Sequence, residues 1–170
     1  SIGYKNEVIL PLAIQPRMSG RKIHLKGQIS LGVCQDICIP HTIKFNTTLP
    51  ADQNMLGTKI KTALRQPPKT ALAAGLRARR CTFSPAPNGL MLKVTLDMPS
   101  TGTPEHVVIE TSNPLIWADP PTVSRTGKIL SLQTLLTHSA GQPFALTRNS
   151  IRITILGSDH AVDINGCTEG

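Results

Sequence analysis

The chain has 170 residues, with 18 Lys/Arg against 10 Asp/Glu and four cysteines. That length accommodates one domain or two small ones, either able to bury a core. No apolar run approaches the ~20 residues of a membrane-spanning helix, and no basic-then-apolar leader opens the chain, so a secretory signal, if one existed, has been removed.

The charge is unevenly placed. Residues 1–80 carry 13 Lys/Arg and 3 Asp/Glu, whereas residues 81–170 carry 5 and 7. Such a split predicts two units with different surroundings. A basic half invites a test for nucleic acid, but aromatic interleaving and a recognised binding motif are both lacking, so no nucleic-acid partner is expected.

In chain order, Ser1-Ile2-Gly3-Tyr4 leads at once into the strand-like run Glu7–Leu12, as in a fragment or processed form, with Pro11 marking a strand end. Arg17-Met18-Ser19-Gly20 reads as a turn. From Lys22 to Leu31, Ile23, Leu25, Gly27, Ile29 and Leu31 alternate with Lys22, His24, Lys26, Gln28 and Ser30, the period of a strand with one buried and one wet face. Thr42–Pro50 alternates again and predicts the returning strand. The run Gly32-Val33-Cys34-Gln35-Asp36-Ile37-Cys38-Ile39-Pro40 thus connects two strands, a place where chemistry is displayed on a rigid scaffold.

Asp52 is an N-cap candidate for a short amphipathic helix over Gln53–Arg65, with Leu56, Ile60 and Leu64 as its apolar stripe and Lys59, Lys61 and Arg65 toward the end favoured by the dipole. Pro67-Pro68 stops it. Lys69–Arg80, ending in Arg77-Ala78-Arg79-Arg80, reads as a basic linker. Beyond it, Leu90–Leu96, Val107–Glu110, Lys128–Leu136, Ile151–Leu156 and Ala161–Ile164 read as short strands separated by Pro/Gly turns, the texture of an immunoglobulin-like β-sandwich. Trp117 is expected in its core. The fold class is therefore mostly β, with domains at 1–50, 51–80 (helix and linker) and 81–170.

Cys-x3-Cys is not the Cys-x-x-Cys of thioredoxin, and no βαβ pattern surrounds it. On the chain-entropy account, closing the five-residue loop of Cys34–Cys38 contributes ~2 kcal/mol and closing Cys81–Cys167 ~4.6 kcal/mol. The short loop is thus the exchange candidate and the long one the staple, although an inert bridge in a secreted sandwich fits the short pair equally. Exchange needs a thiolate. Lys26, His24 and His41 supply positive charge that would favour one, whereas Asp36 opposes it or accepts a proton.

The run Ser1–Leu12, followed some twenty residues later by Gly32–Pro40 with its Cys-x3-Cys-x-Pro motif, resembles the N-terminal periplasmic part of DsbD-like protein-disulfide reductases, and more closely their ScsB-related branch. The resemblance is close over roughly residues 1–50; residues 81–170 share only the pattern of a second immunoglobulin-like domain. It implies that residues 1–50 are the later part of a first sandwich and that Cys34 and Cys38 are a redox pair. The implied partners are a membrane-embedded or thioredoxin-like electron donor domain and periplasmic thiol–disulfide proteins. The order of attack stays open, with a preference for Cys38. A partial sandwich also exposes a sheet edge that favours self-association.

Because the resembled branch is associated with copper, Cys34, Cys38 and His41, with His24 or Met18 nearby, form an alternative Cu(I) set; otherwise no metal or cofactor is expected. His106, His138 and His160 read as surface. Ser139, Ser150 and Ser158 lack a nucleophile elbow, and Gly32 has no companion glycines for a phosphate loop.

Overall fold

The computed structural model describes residues 3–4, 7–16, 18, 20–35, 37–50, 57–65 and 67–170. The chain is mostly β and divides into two compact units, residues 1–66 and 67–170.

The first unit holds strand β1 (Ile23–Cys34), strand β2 (Cys38–Leu49) and helix α1 (Thr58–Leu64). The two strands pair antiparallel from Ile23↔Leu49 to Cys34↔Cys38 and form a two-stranded sheet by themselves. Glu7–Leu12, expected as a strand, joins no sheet. The helix is shorter than its sequence stripe: it starts after Gly57, buries no residue, and leaves Ile60 and Leu64 exposed. Asp52 and Leu56 lie outside the described residues. No described residue of this unit is fully buried.

The second unit contains the core. Its strands are β3 (Lys69–Thr70), β4 (Ala78–Ala86), β5 (Gly89–Asp97), β6 (His106–Thr111), β7 (Ile116–Ala118), β8 (Thr122–Thr126), β9 (Ile129–His138), β10 (Ile151–Leu156), β11 (Ala161–Asn165) and β12 (Thr168–Glu169). They build an immunoglobulin-like sandwich from a four-stranded sheet, β3-β11-β10-β6, and a six-stranded one, β12-β4-β5-β9-β7 with β8 also on β9. Period-2 alternation sends Leu92, Val94 and Leu96 of β5 inward beside Thr134, Leu132 and Leu130 of β9. Ile151, Ile153 and Ile155 of β10, with Val162 and Ile164 of β11, supply the buried residues of the other sheet.

Two expectations are corrected here. Residues 69–80 are not a linker: β3 adds in parallel to β11, β4 begins at Ala78, Ala74 is buried, and Ala71 and Leu76 pack against the core. Their apolar side chains lack a period, which is why the stretch reads as loop, and the sandwich takes up only Ala71, Ala74 and Leu76, leaving Leu72 exposed. The unit boundary accordingly falls at residue 67.

Trp117 is also not a core residue. On β7 it is 66% exposed while its neighbour Ile116 is 7% exposed, so alternation gives the inward position to isoleucine. Ile116→Ala is therefore expected to cost about 2–4 kcal/mol, and Trp117→Ala less than about 0.5 kcal/mol, in urea denaturation followed by circular dichroism. Equal costs would contradict this placement.

One polar cluster ties two loops of this unit to strand β8. The Glu105 carboxylate accepts from Arg125 Nε and Nη2, from the Thr101 N–H at 2.9 Å and from the Thr101 hydroxyl at 3.0 Å. Arg125 Nη1 also donates to the Met98 carbonyl at 3.0 Å. The Thr101 carbonyl accepts from the N–H groups of Asp159 and His160. Burial pushes the Glu105 carboxyl up, but the hydrogen bonds from Arg125 and Thr101 outweigh it and hold the group below its ordinary value.

Candidate functional site

The first cysteine pair sits at the tip of the β1–β2 hairpin. Alternation along Ile23–Cys34 and Cys38–Leu49 keeps both strands extended. The register makes Cys34 and Cys38 the last paired residues, with Gln35, Asp36 and Ile37 as the connection and the Gln35 N–H donating to the Ile37 carbonyl. Residue 34−n therefore lies opposite residue 38+n. The two cysteines are bonded to each other, with Cα atoms 4.0 Å apart, close to the ~4.5 Å of a non-hydrogen-bonded antiparallel pair. Both are exposed.

Because successive side chains alternate between faces, the disulfide shares its face with Gly32 and Pro40, then Ser30 and Thr42, then Gln28 and Lys44. A Cβ added at Gly32 would stand 3.7 Å from Cys34 Sγ and 3.8 Å from Cys38 Cβ. With hydrogen at that position and a proline ring opposite, the flank of the disulfide on the hairpin side carries no long side chain. The other face is apolar: Ile23, Leu25, Ile29, Leu31 and Val33 lie across from Leu49, Thr47, Ile43, His41 and Ile39. Around the tip Val33, Ile37 and Ile39 are 57%, 73% and 61% exposed, so apolar side chains adjoin the bridge among the described residues.

The structure brings together only part of the expected set. His41 lies opposite Leu31 on the apolar face, so its imidazole does not converge with the two sulfurs as a ligand set would require. Lys26 is paired with Asn46, eight strand residues from Cys34; at ~3.4 Å per residue that is roughly 27 Å, beyond the ~8 Å screening length at physiological salt. Lys26 is therefore too remote to act on the thiols. His24 is more distant still and is hydrogen-bonded to Thr48. Asp36 lies outside the described residues. Among the described residues, no three His, Cys, Asp or Glu side chains converge as a metal-binding group. The open flank at Gly32 and the apolar neighbours Val33, Ile37 and Ile39 carry no motif of their own, although the register that places them follows once Cys34 and Cys38 are taken as opposite residues.

The second pair, Cys81 and Cys167, is bonded and buried in the sandwich core, with Cα atoms 5.8 Å apart. Its sulfurs are out of reach of a partner, so the two bridges have opposite accessibility.

The chain matches no family model and no curated protein sequence. Among solved structures it is similar to the N-terminal periplasmic domain of ScsB from Proteus mirabilis, with a TM-score of 0.64 and 16% identity over 86% of this chain. The chain spans 58% of the length of that structure. At such low identity the likeness speaks for the fold alone, and the chain shares the fold of that ScsB domain.

Proposed function

We propose that the chain is a periplasmic thiol–disulfide exchange module that passes reducing equivalents from a membrane-embedded or thioredoxin-like donor domain to periplasmic proteins through Cys34 and Cys38. The observation that carries this reading is the exposed disulfide across the last residue pair of a hairpin. Twelve paired positions set the register, and the bond itself contributes only about 2 kcal/mol of loop closure. The fold shared with a periplasmic ScsB domain supports the same reading.

In each half-cycle a donor thiolate attacks one sulfur of the pair, the S–S bond breaks, and the other cysteine leaves as a thiolate. The donor's second thiolate then attacks the donor sulfur of the mixed disulfide. The pair emerges as a dithiol, the donor as a disulfide, and two electrons have moved. The same steps in reverse reduce a target disulfide.

Equilibration with glutathione redox buffers followed by alkylation and mass spectrometry tests the reading. Cys34–Cys38 is expected to open and reclose reversibly under native conditions while Cys81–Cys167 stays closed. A Cys34–Cys38 bond that opens only when the protein unfolds would make it an inert bridge. Single Cys34→Ser and Cys38→Ser variants, used to trap mixed disulfides, identify which sulfur receives the partner.

A further inference from the structure

The end of the six-stranded sheet carries a site built only from residues of the second unit. On the face turned away from the core, Met91 of β5 lies opposite Leu135 of β9, and two residues further on Trp117 of β7 lies opposite Thr137. The neighbouring rows on the same face, Lys93 with Gln133 and Thr95 with Ser131, are polar. This face is therefore polar along most of its length and apolar at one end. Gly89, the first residue of β5, closes the apolar end. A Cβ placed there would collide with the Leu136 carbonyl and stand 3.4 Å from Thr137 Cα, so glycine lets the β4–β5 turn lie against β9.

Beyond β9 the chain forms a loop beside this turn. The Ser139 N–H donates to the Leu115 carbonyl and the Gly141 N–H to the His138 carbonyl, both at 2.8 Å. Phe144 packs against the core, with its ring centroid 6.3 Å from that of His138. Turn and loop flank a cleft of about 570 Å³ whose lining includes Asn88, Gly89, Thr137, His138, Gln142 and Phe144, a size suited to a ligand or to a few side chains of a partner. Trp117, opposite Thr137 and largely exposed, adjoins it. Trp117 and Phe144 are two of only five Phe, Trp and Tyr residues in the chain, so aromatic surface that is scarce elsewhere is gathered at this end.

The lining chemistry selects the occupant. No Lys, Arg, Asp or Glu lines the cleft, so nothing there would pair a charged ligand. His138 Nδ1 accepts from the Ala140 N–H at 3.2 Å, which leaves Nε2 of the neutral ring as a donor. The Trp117 indole N–H is a donor only, and the exposed Asn88 and Gln142 amides donate as well. Aromatic faces beside outward donors suit a ligand with apolar rings and carbonyl acceptors but few N–H groups of its own. A proline-rich chain has this chemistry: proline lacks the N–H, and the preformed polyproline II helix loses little entropy on docking. We infer that the Trp117 end of the sandwich binds a proline-rich segment of a partner protein in the polyproline II conformation. Its rings lie on Trp117 and Phe144, and its carbonyls accept from His138 Nε2 and the neighbouring amides. This inference does not depend on whether Cys34–Cys38 exchanges.

The test uses the whole chain and fluorescent decaproline, followed by anisotropy, with unlabelled decaproline followed by the emission of Trp117, the chain's single tryptophan. Saturable binding with a shift in Trp117 emission is expected. Trp117→Ala, at an exposed position where the fold loses little, is expected to weaken binding about ten-fold or more. His138→Ala removes one donor and should cost about three- to ten-fold, while Lys93→Ala in the polar part of the same face leaves binding within about two-fold. A Gly/Ser peptide of equal length keeps the carbonyls but lacks the rings and the preset helix, and should bind at least about ten-fold more weakly. Because the contacts are uncharged, raising NaCl from about 50 to about 500 mM should change the affinity less than about two-fold. Absence of saturable binding, equal binding of the Gly/Ser peptide, unchanged affinity in Trp117→Ala, or a strong loss in salt overturns the site. Sedimentation showing that a second copy of the chain covers this end does so too.

Discussion

Replacing Cys81 and Cys167 together by alanine is expected to remove about 4 kcal/mol from the stability of the second unit, in the upper part of the range for native disulfides. The magnitude follows from sequence separation: the bonded residues are 86 positions apart, so the cross-link excludes many unfolded conformations. The location adds to the effect. β12 has two residues and is held on β4 by the register Glu169↔Cys81, by the Thr168 hydroxyl donating to the Arg79 carbonyl, and by an exposed Arg148–Glu169 pair worth little. Without the bond, the C-terminal strand has few anchors. Removing the exposed pair by Cys34→Ala/Cys38→Ala should leave the same transition within about 0.5 kcal/mol. Urea denaturation of both double variants, followed by circular dichroism and by Trp117 fluorescence, makes the comparison. A loss below about 1 kcal/mol for the buried pair would refute the account, because the chain-entropy term alone is larger.

The hairpin was legible because its cause is local. Ile23, Leu25 and Ile29 alternate with His24, Lys26 and Gln28, and the same alternation returns after Pro40. A period of two fixes which side chains share a face, and two cysteines with three residues between them can meet across a tight connection. What alternation does not show is how far a residue lies from the site along the strand. Lys26 has the right face and the wrong end, and His41 the right end and the wrong face. Trp117 illustrates a second limit. Bulk and hydropathy favour it as core, but its phase on β7 is set by pairing with β9, and Ile116 has the inward position. Residues 69–80 illustrate a third, since Lys69 and Thr70 become a strand only because β11, more than ninety residues later, presents an edge to them. The absence of buried residues among the described residues of the first unit is likewise invisible to periodicity, which reports an apolar face and not whether anything lies against it.

Arg125→Met is expected to destabilise the second unit by about 3 kcal/mol at neutral pH and to reverse the pH dependence contributed by Glu105. The side chains of Arg125 and Glu105 are 18% and 8% exposed, so loss of the guanidinium leaves a carboxylate with little water to solvate it. In the unmodified chain burial raises the Glu105 carboxyl and the bonds from Arg125 and Thr101 lower it further, leaving the folded value below the unfolded one. The group therefore stabilises the fold fully above the unfolded carboxyl value of about 4.3, and that contribution is lost as pH falls through the lower folded value. In the variant burial is opposed by the Thr101 bonds alone, the folded value rises above the unfolded one, and stability increases as pH falls from 7 toward 4. The double variant Arg125→Met/Glu105→Leu removes both charges and should recover much of the loss, since a buried ion pair replaced by apolar groups is often close to neutral. The unbonded Thr101 N–H and hydroxyl limit that recovery to within roughly 1–2 kcal/mol of the parent. Urea titrations at a series of pH values decide between the alternatives: if the single and double variants lose equal stability with parallel pH profiles, the loops around Thr101 are held by packing, and the ion pair contributes nothing of its own.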